Sequence, residues 1–469
     1  MVTPETLACR ELQPLADRPV LVPELTYLAH FSPDRSFLLL QLQGTPRRLI
    51  RVDRPSGKIS TIADSVGLVT SLGGGKALLL EGTGVDGWET GLYDGNQVRP
   101  LYRGVCDVSA TPDGTILYAV GPCVGAENGL TRIDLATATR TTLDPRVALN
   151  TQPGIQVSQS GQWIAYGITD PENRQRTIAV ADAAGKVYAI TTDRKVYLVA
   201  FASDHLMLFQ TEGPPGTPGD LWGHVPGSGD TSFLLAADRS PGNDDGYAFS
   251  PDRSQILAVK RPGPSEARSA NSLYRLPLDG GDPLLLVTNW SIPSPGSRPN
   301  PISFDSQGKF VLYSSDAGGN TGAVSLAVVD GQGSPPRTLS NDGGFILAPA
   351  SSGVLIVENR PEGQKSHLRL TDLATGRDRL SYSSKANLEP VAVLRNDQAF
   401  LFAEFEGEKQ RARFVSARHP HSVVLGEWHE SGCRGCERQV LQADPTGCFT
   451  VVNTDQNSNS GTRLVLFPE

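Results

Sequence analysis

One unit recurs ten times along the 469 residues, and that recurrence limits the fold more than any other feature of the chain. Six copies are plain: FSPDRSFLLL from Phe31, ATPDGTILYAV from Ala110, SQSGQWIAYGI from Ser158, FSPDRSQILAV from Phe249, FDSQGKFVLYSS from Phe304 and ADPTGCFTVV from Ala443. Weaker copies begin at Ser71, Ala202, Ala350 and Arg395. Each is an apolar strand, a tight turn of Pro, Asp and Gly, and a second apolar strand. Pro presets φ in such a turn, Asp bonds its own backbone, and Gly accepts positive φ. Aligned on the turn glycine or its equivalent, the copies fall at 35, 75, 114, 161, 205, 253, 308, 353, 398 and 447, which is 39 to 55 residues apart.

The other half of each unit follows. A third strand ends in a turn, as in LIRVDRPSG to Gly57, LTRIDLATA to Ala138 and LRLTDLATG to Gly376, and a fourth strand comes after it, as in KVYAIT from Lys186. Four antiparallel strands per unit make the blade of a β-propeller. The second strands are apolar nearly throughout, as strands covered on both faces by neighbouring blades must be. The expected fold is therefore all-β: a single closed propeller over 1–469 with about ten four-stranded blades. Two smaller propellers are the alternative. The blades should begin near 26, 67, 105, 154, 197, 246, 301, 345, 390 and 438. The last copy, ending TRLVLFPE, stops at a third strand, and residues 1–20 hold a segment, TLACRELQPL, suited to complete it. Closure of that kind removes sheet edges.

Composition agrees. Glycine (49) and proline (35) are about 18 % of the chain, against about 12 % in average usage. No run approaches the roughly 20 apolar residues of a membrane helix. The net charge is −8 with no basic patch, which argues against a nucleic-acid partner. The first twenty residues carry neither a basic n-region nor an apolar h-region, so the chain is cytosolic or its signal has been removed.

The segment YSSDAGGNTGAVSLAVVDG, from Tyr313 to Gly331, is similar to the TolB-like bacterial propeller repeat, and the FSPD strings at Phe31 and Phe249 fit the same family. ATPDGTILYAV with RIDLATA resembles the related bacterial surface-protein repeats. The resemblance covers nearly the whole chain as a fold signal. It implies a bacterial, extracytoplasmic protein (periplasmic, on the outer-membrane surface or secreted) with its signal sequence removed. As a guide to function it is weak, because such repeats serve binding, scaffolding and enzymes alike.

Chemistry-bearing motifs are sparse. The chain has no Gly-x-Ser-x-Gly elbow, P-loop or His-Glu-x-x-His. The first strands, expected to line the channel, offer His30 and Asp107 as their main titratable residues, and Asp244 and Asp245 lie just before another. The densest cluster is Arg418 to Cys436. Its His429, Cys433 and Cys436 have the spacing of three zinc ligands, while the plainer reading is a surface loop with a local disulfide. No cofactor is expected otherwise. Cys106 begins a first strand and Cys123 follows the second strand of the same hairpin, so a disulfide between them is geometrically reasonable. The pairing of Cys9, Cys433, Cys436 and Cys448 stays open.

Loops joining strands two and three, and loops joining one blade to the next, emerge on one face of a propeller. The long insertions fall in those two classes: Thr211 to Asp220 with Pro214, Lys260 to Ser272 with Pro262, and Asn289 to Asn300 with Trp290 and Arg298. Trp428 begins a further loop of the same kind. Pro-rich loops lose little entropy on binding, and Trp and Arg are frequent hot-spot residues. The preferred expectation is a monomeric, non-enzymatic scaffold binding a protein or peptide on the loop face of blades five to seven. The alternative is a hydrolase or lyase acting on sugar or peptide at the channel mouth.

Overall fold

In the computed structural model, the residues described are those of the strands between Thr26 and Leu466 and of the shorter connections among them. Segments 1–25, 82–87, 123–128, 148–153, 170–175, 191–195, 212–218, 236–246, 261–270, 291–301, 317–323, 359–363, 430–441, 444–448 and 467–469, with a few turns of one to five residues, lie outside that description. The described strands form ten antiparallel sheets, over 26–63, 68–105, 107–144, 156–190, 196–235, 247–290, 302–340, 344–384, 387–429 and 442–466. They are called blades one to ten below. In each, the strands lie side by side in chain order. Nine blades have four strands, and the tenth has three among the described residues. The segment expected to complete it, within 1–20, lies outside them. Among the described residues, no helix is long and apolar enough to cross a membrane.

The chain forms two compact units, 62–290 and 1–61 with 291–469. The first holds blades two to six. The second holds blade one, apart from the end of its last strand, and blades seven to ten.

The repeated turn explains the repeated sequence. Between the first and second strands of blades three, four, six and seven stands Thr111, Ser158, Ser250 or Asp305. Its N–H donates to the carbonyl five residues on (2.9–3.0 Å), and its side-chain oxygen accepts the N–H of that same residue at 2.7–3.1 Å. Three residues into the turn the backbone must take a positive φ. Gly114, Gly161 and Gly308 do so at 65°, 78° and 69°, and Arg253 at 56° without being glycine. The turn between strands three and four is a variant: Asp134 Oδ1 accepts the N–H groups of Ala136 and Thr137, and Ala138 takes φ 58°.

Burial falls off across each blade. The second strand of blade one, FLLLQL, is wholly buried, whereas the fourth strand of blade eight, DRLSYSS, has no buried residue. The side-chain alternation of a strand serves two neighbours at once. In blade three, Leu117 and Ala119 pack on Leu78 and Leu80 of blade two. Tyr118 and Val120, between and beyond them, pack on Ile164 and Tyr166 of blade four. Blade nine repeats this in the other unit: Phe400 and Phe402 meet Leu355 and Leu370 of blade eight, while Leu401 and Phe414 lie toward Val465 of blade ten. Each fully buried Leu or Phe contributes about 1.5–3 kcal/mol.

Polar ties cross the same boundaries. Arg99 of blade two donates to the carbonyls of Leu135 and Ala136 in blade three, and Arg337 of blade seven does the same to Leu373 and Ala374 in blade eight. The acceptors are the Leu-Ala of the two DLAT turns, so one sequence motif makes one inter-blade contact in each unit.

Candidate functional site: the loop face at blade six

Within a blade, the second-to-third-strand loop and the connection to the next blade leave from the same end, and blade six shows how the two are joined. Asn271 is the first residue of its third strand (Asn271–Pro277), directly after 261–270. Trp290 is the last residue of its fourth strand (Leu284–Trp290), directly before 291–301. The two are paired in the sheet, and the Asn271 side-chain amide donates to the Trp290 carbonyl at 2.8 Å. On the other side of the loop, Lys260 pairs with Ser272. The bases of both proline-rich insertions are thus fixed to one another.

Trp290 itself is a correction. Expected as an exposed anchor for a partner, its side chain is 2 % exposed and belongs to the core. A ring this large in a fourth strand is stabilised by burial, and Asn271, 4 % exposed, satisfies its carbonyl. Arg298, Pro262 and Pro214 fall in the flanking insertions, outside the described residues.

The blade-five insertion has a comparable base. The Thr211 N–H donates to the Asp220 carbonyl at 2.9 Å, the Trp222 indole N–H to Thr211 Oγ1 at 3.4 Å, and the Trp222 and Phe209 rings stack 6.4 Å apart at 11°.

In blade nine, Trp428 and His429 end the fourth strand (Val423–His429), paired with Gln410 and Lys409. Cys433 and Cys436, the other two residues of the expected zinc set, lie outside the described residues. Among those described, no group of three or more His, Cys, Asp or Glu is arranged for a metal ion. Cys106 is disulfide-bonded, and its N–H donates to the Val120 carbonyl at 2.8 Å. Its expected partner, Cys123, lies three residues beyond Val120 and outside the description.

Of the channel candidates, Asp107 is well defined. Its Oδ2 accepts the N–H of Ile155 in blade four at 2.8 Å. The carboxylate occupies the place of a side chain at Gly154, where an added Cβ would stand 1.7 Å from Oδ2. Burial pushes the carboxyl above its usual range, and the Ile155 N–H works against that. Its contacts are those of a clasp between two blades. The His30 side chain, Asp244 and Asp245 are outside the described residues.

The sequence reading missed a set of buried charges at the loop end of blades eight and nine. Glu404, 3 % exposed, accepts from Tyr382 (2.9 Å) and Ser384 (2.6 Å) of blade eight and from Arg411 (3.2 Å) and Arg413 (2.5 Å) of its own blade. Arg411 also meets Glu406 and Glu427, each at 3.0 Å. One blade earlier the pattern recurs: Glu358 accepts from Ser340 of blade seven (2.5 Å) and Arg369 (3.0 Å). Burial works to raise the Glu404 carboxyl, but the bonds from Ser384, Arg413 and Tyr382 outweigh it and hold the group below its usual range. The only signal in the sequence was a charged residue near the end of an otherwise apolar second strand.

No family model and no curated protein matches the chain. Solved structures do. The dipeptidyl peptidase 4 of Porphyromonas gingivalis superposes with a TM-score of 0.52 at 12 % identity, over 82 % of this chain and 65 % of that one, so the chain spans just under two thirds of the peptidase. The fold is a β-propeller fold. Other propeller proteins match less closely. TolB from Acinetobacter baumannii has a TM-score of 0.32 and 14 % identity over 65 % of this chain and 76 % of its own. An oligogalacturonate lyase in complex with manganese has 0.39 and 12 %, over 95 % and 97 %. At these identities the likeness concerns the propeller fold alone.

Proposed function

We propose that this propeller is a non-enzymatic scaffold that binds a protein or peptide through the insertions 212–218, 261–270 and 291–301 of blades five to seven, with Pro214, Pro262 and Arg298 among the contacting residues. The observation that carries the reading is the Asn271–Trp290 pairing, with its 2.8 Å amide bond, which joins the residue that follows one insertion to the residue that precedes another. Loops rising from a fixed base lose less freedom on binding than independent ones. Trp428, at the end of blade nine, is a further candidate contact. The disulfide at Cys106 supports an extracytoplasmic location, where disulfides persist, and its pairing with Cys123 is part of the proposal. The chain works as a monomer without a cofactor, and zinc at His429, Cys433 and Cys436 is a separate question for elemental analysis.

The test is selection of peptides from a random display library against the immobilised chain. Binding is then compared with Arg298→Ala and with a variant whose 261–270 loop is replaced by Gly/Ser of equal length. The expected outcome is at least tenfold weaker binding by each variant, about 1.4 kcal/mol. Equal binding by all three overturns the assignment to these loops. Turnover of peptides or acidic oligosaccharides by the wild-type chain would favour the enzyme reading instead.

A further inference from the structure

His224 ends the third strand of blade five (Leu221–His224), paired with Met207 of the second strand and Thr231 of the fourth. It is 3 % exposed, and neither ring nitrogen reaches a partner at hydrogen-bonding geometry. Buried polar side chains are ordinarily paired, as Asn271, Asp144 and Glu404 are here. A neutral imidazole tolerates such a place at modest cost. An imidazolium has two N–H donors to satisfy and a charge to bury.

We propose that His224 is an acid-sensitive latch: protonation of its ring opens the blade-five hairpin that carries the 212–218 insertion.

The surroundings offer the charged ring little. Across the strands stand Met207 and Thr231, which do not titrate. Trp163 of blade four packs at the following turn, where a Cβ on Gly227 would meet its ring at 2.7 Å. Asp230, in that turn, is the ionisable group that bears on the ring. In the turn before the second strand, Asp204 is already engaged by the Ser160 N–H (2.8 Å) and hydroxyl (2.7 Å) of blade four, and its neighbour His205 is exposed. Burial lowers the ring's pKa, and the Asp230 backbone and carboxylate act in the opposite sense without cancelling it.

The sign follows. A base whose folded pKa lies below its unfolded value leaves stability intact above about 6.5. It loses stability as pH falls from there toward the folded value, because the open state takes up the proton. The strands that hold His224 also hold the Phe209–Trp222 stack and the Thr211–Asp220 closure, so opening them frees the base of the insertion. The inference rests on the hairpin alone and stands whether or not that loop binds a partner.

The experiment is hydrogen exchange by mass spectrometry on the whole chain at pH 7.5 and 5.5, corrected for the intrinsic pH dependence of exchange. For the wild type, opening of peptides within 206–235 should increase between the two pH values, by up to about tenfold. Peptides within 399–416 serve as the reference. In His224→Gln the extra opening should vanish. An identical pH response in the two proteins overturns the proposal. If the variant does not fold, the wild-type ring decides by its NMR titration: a midpoint well below 6.5 supports the latch, and an ordinary or higher midpoint overturns it.

Discussion

Ala138 and Arg253 occupy backbone positions that favour glycine, and they show how a repeat tolerates drift. Ala138 sits at φ 58° in a turn where the equivalent Gly376 takes 71°. Ala138→Gly should raise stability by roughly 0.5–1 kcal/mol, the strain relieved less the added freedom of the unfolded chain, read as a higher urea midpoint. Arg253, at φ 56°, also donates to the Phe201 carbonyl of blade five at 2.7 Å. Arg253→Gly should therefore leave the midpoint nearly unchanged, strain relief offsetting a lost bond. Gly154 is the opposite case, a glycine required by a neighbour. Gly154→Ala drives the Asp107 carboxylate out of its place and strands the Ile155 N–H, which should cost about 2 kcal/mol. An unchanged melting curve would show that Asp107 does not clasp the two blades.

At the scale of the blade, the second strand determines what its neighbours can do. Where it ends in a carboxylate, as at Glu358 and Glu404, a serine from the preceding blade and an arginine from the next strand converge on it. Glu404→Gln should cost about 3 kcal/mol, because Arg413 loses its counter-charge in a largely dry site, while Arg411 keeps Glu406 and Glu427. In the wild type, a carboxyl held below its usual value contributes stability that is complete above about pH 4.5 and is lost as pH falls through the folded value. Acid unfolding of the two proteins should therefore converge at low pH, and parallel curves would refute the role of the charge. Trp290→Ala should cost about 3–5 kcal/mol as a large buried side chain. A negligible loss of stability would mean that the ring is exposed after all.

At the scale of the molecule, the chain divides between 61 and 62 and again between 290 and 291. Blade one thus belongs to the same compact unit as blades seven to ten, although 238 residues of chain (64–301) intervene between its last strand and blade seven. Alkylation without reductant should leave Cys106 unmodified, and peptide mapping should link it to Cys123. Reduction should then cost about 3 kcal/mol for a loop of that length, and a freely alkylated Cys106 would argue against an oxidising compartment.

The blades were legible in the sequence because their cause is local. A turn that needs Asp or Ser, then positive φ, then an apolar strand writes itself every 39 to 55 residues, whatever the strand later packs against. Even the two DLAT motifs were visible, though not their arginine partners. What the sequence hid are contacts between residues far apart along the chain. Trp290 reads as an exposed anchor because it precedes a proline-rich loop, yet the fold buries it. Glu404 reads as a stray charge until blade eight brings Tyr382 and Ser384 to it. His224 looks like any strand histidine until both sides of its sheet are covered. Local chemistry determines that there are blades; only their stacking decides which polar groups are left without water, and so which of them carry stability or respond to pH.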